Sequence, residues 1–397
     1  MTTKKKPSES RWLLDPGVIY LNHGSFGACP RATFAYQQKL RRQMESQPMR
    51  WFNRTLPELL EKSRRQLGKF LGASADRLAF VPNATYGVNS VLRSLPLARG
   101  DEILITDHEY NACRNAAVFA AQSRGARVKT AHLPFPLRSQ GEVVEAVISK
   151  ITRRTRLLLI DHITSPTALV LPVGEIISRA HRLGVEVLID GAHAPGMLPL
   201  KLDLLGADYY TGNLHKWLCA PKGAAFLYVR PEHQEKIFPL AISHGYNTRK
   251  PGQSKLRALF DWTGTDDFTA FVCWQKSLEV LQSIYPGGLT ELRRRNHRLV
   301  VEGRRLVLKA LGQEPPCPEF MLGSMATVFL PLASAGNAPV GGGTALQKKL
   351  SEKYGVEVPV INWPVFPHLL LRISAQAYNR IEHYQYLAEV LARELSE

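Results

Sequence analysis

Five short apolar runs, at residues 78–81, 102–106, 157–160, 185–189 and 224–229, are separated mostly by segments whose apolar residues recur every three to four positions. Strand-length runs alternating with helical segments fit few folds other than a largely parallel sheet with helices packed on its faces. The intervening helices are expected at 86–95, 111–123, 143–151 and 173–183, and the last meets a glycine stop at Gly184. Beyond about residue 270 the alternation weakens. A long basic helix is expected from Leu289 to Gly312, then strands at 356–361 and 369–374 and a closing helix from about Tyr378. A chain of 397 residues exceeds the size at which single cores stop growing, roughly 250–300 residues. We therefore expect an N-terminal arm (1–19), a large α/β/α domain (20–270) with a mostly parallel sheet, and a smaller α+β domain (271–397). Gly341, Gly342 and Gly343 read as a flexible linker, because no Lys-Ser/Thr follows them as a phosphate loop needs.

Composition narrows the function classes. The net charge is +17, but Arg and Lys occur in small groups such as Arg153-Arg154 and Arg293-Arg294-Arg295, mostly on expected helix surfaces. That distribution favours a solvated basic surface over a nucleic-acid or other polyanion site, which remains the non-enzymatic alternative. The five cysteines lack CxxC spacing, so neither a zinc site nor a disulfide framework is indicated, and no metal is expected. No run reaches the ~18 apolar residues of a membrane span, and the polar start lacks a signal-peptide pattern. A cytoplasmic protein without a membrane or nucleic-acid partner is the expectation.

Two strand ends carry the chemistry. One apolar strand closes on Asp190-Gly-Ala-His193; the other runs through Asp208-Tyr-Tyr-Thr211 into Asn213-Leu-His215-Lys216-Trp217. Alone, Asp190 reads equally as a helix cap, His193 as a loop residue and Lys216 as a snorkelling surface lysine. Together they offer more. A lysine among Leu214, Trp217 and Leu218 should be desolvated, which favours its neutral, nucleophilic amine. An acidic partner for a pyridine nitrogen and an amine for a Schiff base are what pyridoxal 5'-phosphate (PLP) requires, and Asp190 and Lys216 supply both. Arg372, inside the apolar run 369–374, needs an anion, which is either an internal carboxylate or a substrate's.

The ordered set Tyr20-Leu-Asn-His-Gly-Ser-Phe-Gly27, Asn83-Ala-Thr-Tyr-Gly87, Asp107-His-Glu-Tyr-Asn-Ala112, residues 161–172, Asp190–His193, Asn213–Trp217, Trp262-Thr-Gly-Thr265 and Leu371-Arg-Ile-Ser374 resembles the class V aminotransferase family of fold-type I PLP enzymes. The isopenicillin N epimerase-like branch is the most similar. This resemblance implies that Lys216 carries the cofactor, Asp190 meets the pyridine nitrogen and His193 reaches the ring oxygen. Ala84 and Thr85 would clamp the phosphate at a helix N-terminus. Tyr110 would stack on the ring, with Ser165 (and Thr167 nearby) close to the ring oxygen. Thr211 and His215 become candidate phosphate ligands, and Thr265 a residue reaching the neighbouring subunit's phosphate in a homodimer with its site at the interface. Arg372 would hold the substrate carboxylate, with Asn22 and His23 folding over the pocket. Cysteine desulfurases of this family use a mobile cysteine shortly before that arginine; no cysteine follows Cys317. Epimerase or racemase chemistry at Cα of an amino acid is therefore the first expectation. A C–S lyase of the ergothioneine-pathway type, or an aminotransferase, is the alternative.

Overall fold

The computed structural model describes residues 11–331 and 344–396. The expected linker at Gly341–Gly343 and residues 1–10 of the expected arm lie outside the described residues. The strands are β1 (Ile19–Tyr20), β2 (Leu78–Val81), β3 (Glu102–Thr106), β4 (Arg127–Ala131), β5 (Thr155–Asp161), β6 (Glu186–Asp190), β7 (Tyr209–Asn213), β8 (Ala225–Val229), β9 (Met325–Phe329), β10 (Val356–Glu357), β11 (Val360–Asn362) and β12 (Leu369–Ser374).

Strands β2–β8 form one seven-stranded sheet in the order β2-β8-β7-β6-β5-β3-β4. Only β8 runs antiparallel to its neighbours; the remaining pairs are parallel. The central strands are apolar throughout because both faces are covered. Leu158, Ile160, Ile189 and Tyr210 face one buried layer with helix Val173–Arg182. Leu157, Leu159, Leu188 and Tyr209 face the other, beneath helices Ala84–Ser94 and Asn111–Gln122. Strand β4, absent from the sequence reading, is an edge strand; its RVKTA sequence is half solvated and carries no apolar run.

Chain order changes direction between β3 and β5, where β4 sits outside β3 and β5 returns beside it. Ligands of open α/β sheets bind beyond the carboxyl ends of strands at such a point. The register Asp161↔Asp190↔Thr211 across β5, β6 and β7 brings three strand ends level there.

A second, three-stranded antiparallel sheet, β11-β12-β9, packs with helices Gly288–Leu311 and Ile381–Ser396. The strand expected at 356–361 is split: Val356–Glu357 pairs with β1, and after Pro359 the chain turns to pair with β12. The C-terminal helix starts at Ile381 because Gln376–Asn379 forms a turn closed by the Asn379 side chain on the Gln376 amide, 2.8 Å. No helix among the described residues is long and apolar enough to cross a membrane.

Candidate active site

Beyond the strand ends lies a cavity of about 200 Å³, lined by residues from six separate segments, among them Thr85, Tyr110, Ser165, Asp190, His193 and Lys216. Lys216 sits in the turn after β7, where the Cys219 amide donates to the Lys216 carbonyl at 2.9 Å. The N-terminal loop crosses behind it at Gly27, where a Cβ would stand 2.4 Å from the carbonyls of His215 and Lys216. Only glycine permits that approach. The Lys216 amine lies 3.2 Å from His193 Nε2. Burial, reinforced by the Arg372 charge, pushes the lysine down to about 8, against the opposing pull of Asp190 and Asp161.

His193 is held neutral, well below its ordinary value, by burial and by the nearby Lys216 and Arg372 cations. Its Nδ1 accepts from the Trp217 indole at 3.3 Å. Since an indole N–H only donates, the proton of neutral His193 belongs on Nε2, directed at Lys216. A neutral Lys216 amine can accept it, whereas an ammonium would place two donors face to face. The arrangement therefore favours the nucleophilic form of the lysine.

Asp190 ends β6, 2% exposed. One carboxylate oxygen accepts from the Ala192 amide at 2.9 Å and the other from the Cys113 thiol at 3.1 Å. Rather than capping a helix, it closes a local turn on the cavity floor. Gly191 follows because a Cβ there would fall 2.2 Å from the Tyr210 ring. Asp161 of the neighbouring strand and Glu109 lie close by, and burial, followed by mutual repulsion, raises both well above the carboxylate range.

At one end of the cavity is the N-terminus of helix Ala84–Ser94. Asn83 is its cap, accepting from the Tyr86 amide at 2.8 Å, and the Ala84 amide donates to Asn213 at 2.9 Å. Thr85, between them, lines the cavity with its amide and hydroxyl in neither bond. His215 lines it too, with Nδ1 donating to the Ala224 carbonyl at 2.8 Å; burial and Lys216 lower it to about 4.

At the opposite side, Arg372 of β12 is 3% exposed. Its guanidinium donates to the Ser165 carbonyl (2.5 Å), the Ser165 hydroxyl (3.1 Å) and the Ser25 hydroxyl (2.7 Å). Both serines line the cavity. The charges that act on Arg372 include no carboxylate among the described residues, and burial lowers it to about 10. The internal salt bridge offered by the sequence as its alternative partner is not there. Tyr110, 47% exposed, forms part of the cavity wall.

Besides Arg372, which meets the cavity only through Ser25 and Ser165, four expected residues stand elsewhere. The Thr211 hydroxyl donates to the Phe226 carbonyl at 2.9 Å and packs against Gly87, and Thr211 does not line the cavity. His23 is fully buried behind the lysine loop, bonded to Tyr378 (2.7 Å) and to the Lys216 carbonyl (3.0 Å), so it braces the loop instead of covering the pocket. Asn22 is half-buried, and its carbonyl accepts from the Ser25 amide at 3.1 Å, shaping the turn that presents Ser25. Thr265 is exposed and lines no part of this cavity. Sequence reasoning missed Ser25, Phe26, Asp161, Asn213 and Lys222 as lining residues. Asn213 and Ser25 stood within recognised motifs, but nothing local distinguished their side chains from turn formers.

The family model "Aminotransferase class-V" matches residues 28–309. The chain belongs to the class V aminotransferase family. Isopenicillin N epimerase of Amycolatopsis lactamdurans is 36% identical, over 96% of each chain. A probable chloroplastic L-cysteine desulfhydrase of Arabidopsis thaliana is 30% identical, over 95% of this chain and 83% of the relative. Among solved structures, a lysine-to-alanine mutant of C-DES with glycine covalently linked to the PLP cofactor matches with a TM-score of 0.80 at 22% identity, covering 98% of this chain and 99% of that one. For a member of this family, Lys216 and Asp190 on one cavity wall, with Arg372 bonded to the lining residues Ser25 and Ser165, have a direct chemical reading.

Proposed function

We propose that this protein binds PLP through Lys216 and acts at Cα of an amino acid or amino-acid-derived substrate, with epimerisation as its reaction. The observation that carries the reading is the desolvated Lys216 amine, 3.2 Å from a neutral His193, in a cavity floored by the Asp190 carboxylate. The residues fit the group: an amine for an aldehyde, an anion for a ring nitrogen, and a helix N-terminus with Thr85 and His215 for a phosphate. When bound, the cofactor supplies an electron-accepting ring conjugated to the substrate nitrogen.

This chain's residues do the rest. A lysine near 8 presents about one amine in ten neutral at pH 7, against about one in three thousand for an ordinary lysine. Once released by the incoming substrate, the same amine can take the Cα proton. Asp190 would hold the ring N–H and so keep the ring electron-accepting. Arg372 exchanges its bonds to Ser25 and Ser165 for the substrate carboxylate, fixing the substrate's orientation by a bidentate fork. Tyr110, on the wall, supplies a ring face for stacking. Ser165 serves the carboxylate end as the partner of Arg372.

We further propose a homodimer in which exposed Thr265 reaches the phosphate of the partner's site, and a cytoplasmic location. The basic surface serves solubility, not a nucleic acid. A second reading, β-elimination with C–S cleavage, is favoured by the desulfhydrase relative. One experiment separates the two: the PLP-loaded protein is screened against L-amino acids in D2O. Deuterium at Cα with formation of the D-isomer supports epimerisation. Sulfide and a keto acid from cysteine-type substrates, without the D-isomer, would replace it with the lyase. Absence of bound PLP would overturn both.

A further inference from the structure

Two more carboxyls are buried beside Asp190, Asp161 at the cavity wall and Glu109 outside it. Glu109 is 4% exposed and Asp161 3%. Neither Glu109 oxygen nor Asp161 Oδ2 has a conventional hydrogen-bond partner among the described residues. Glu109, Cys113 and Asp190 offer atoms that all lie within 4.8 Å of one another. The charges facing this group are few. Arg114 attracts Glu109 but spends its guanidinium on the Thr106 and Asp107 carbonyls at 3.1 Å. Lys216 acts on Asp161 and Asp190, and the Cys113 thiol, itself raised by burial and the nearby acids, donates to Asp190.

Three carboxyls buried close enough to raise one another in a low-dielectric site cannot all ionise. Asp190 is the member with donors, from Ala192 and Cys113, so it is the best stabilised as an anion. Glu109 has none. We propose that Glu109 and Asp161 each hold a proton beside Asp190 and thereby leave Asp190 as the single anion of the three for the ring nitrogen of the bound cofactor. Glu109 is a positioning residue that touches neither substrate nor cofactor. The proposal rests on the PLP reading for its consequence, but the protons themselves can be seen without it. The bound cofactor would supply an electron-accepting ring whose nitrogen is balanced by one anion, Asp190. A second anion about 5 Å away would stand uncompensated, slowing removal of the Cα proton on the order of a hundredfold.

The test is infrared spectroscopy of the PLP-loaded protein at pH 7.5 with 13C-glutamate labelling. We expect two protonated-carboxyl stretches, of which one shifts on labelling and is absent from Glu109→Gln. Only carboxylate bands would overturn the proposal, and wild type alone suffices if the variant fails to fold. In parallel, the resonance of 15N-labelled cofactor is followed with pH. We expect an alkaline step in wild type, as Glu109 ionises, that Glu109→Gln abolishes; an identical profile in both would also overturn it. A wild type that takes up no cofactor but shows the labelled acid stretch would sink the PLP reading and leave the proton in place.

Discussion

Arg372→Met separates the cost of a buried cation from its use. The guanidinium is 3% exposed, is acted on by no carboxylate charge among the described residues, and has an Nε without a hydrogen-bond partner. Its fall to about 10 from the ordinary arginine value corresponds to about 3 kcal/mol of unfavourable burial. The bonds to Ser25 and Ser165 offset part of that at ~1–3 kcal/mol each. Methionine fills similar volume without charge, so the substrate-free protein should keep its stability within about 1 kcal/mol, a change of only a few degrees in Tm. Binding is another matter. A bidentate pair of charge-assisted bonds at ~1.5–3 kcal/mol each is worth a hundredfold or more. The assay is steady-state kinetics with the best amino acid from the screen and with its carboxamide, alongside thermal melts. KM for the acid should rise at least a hundredfold in the variant while KM for the amide moves little. An unchanged KM for the acid, or a melt lowered by ten degrees or more with acid still preferred, would refute the reasoning and make Arg372 a structural residue.

Further consequences follow from the same geometry. The rate at which the cofactor-free protein captures PLP should rise with pH through about 8, because the neutral Lys216 amine appears there; stopped-flow absorbance with a midpoint near 10 would contradict the desolvation argument. Asn213→Ala frees the Ala84 amide and loosens the helix end beside Thr85, so the Kd for PLP should increase about tenfold, measured by fluorescence titration, with Lys216 still reactive. Asp208 is buried, which opposes its ionisation, yet bonds from His233, the Val187 amide and His181 hold it down at about 2. Its stabilisation of about 2 kcal/mol is therefore complete above about pH 4 and lost as pH falls towards 2. Asp208→Asn should lower the denaturation midpoint at pH 7, and the gap from wild type should close in acid.

The sheet was legible because its central strands are buried on both faces and so read as uninterrupted apolar runs between amphipathic helices. Strand β4 escaped notice for the converse reason: an edge strand with half its surface in water carries Arg127 and Lys129 where a central strand would carry Ile or Leu. Lys216, Asp190 and Arg372 announced themselves as charges in apolar surroundings, which chemistry alone makes costly. Thr211 had no such signature. It follows Asp190 across the sheet by register, but its hydroxyl is spent on the Phe226 carbonyl beneath Gly87, a packing fact that depends on a residue more than a hundred positions away. His23 was similarly hidden. Its partners, Tyr378 and the Lys216 carbonyl, come from distant segments that only the folded N-terminal loop brings together. Glu109, Asp161 and Cys113 could not be linked to Asp190 from sequence, because their meeting depends on which strands are neighbours.

The most direct test of the central claim is hydride reduction of the protein purified with added PLP, followed by peptide mass spectrometry. The account predicts a visible cofactor band that borohydride removes, with the reduced pyridoxyl group on the peptide containing Lys216 and no such adduct in Lys216→Ala. Cofactor retained without attachment to any lysine, attached elsewhere, or not retained at all would contradict it.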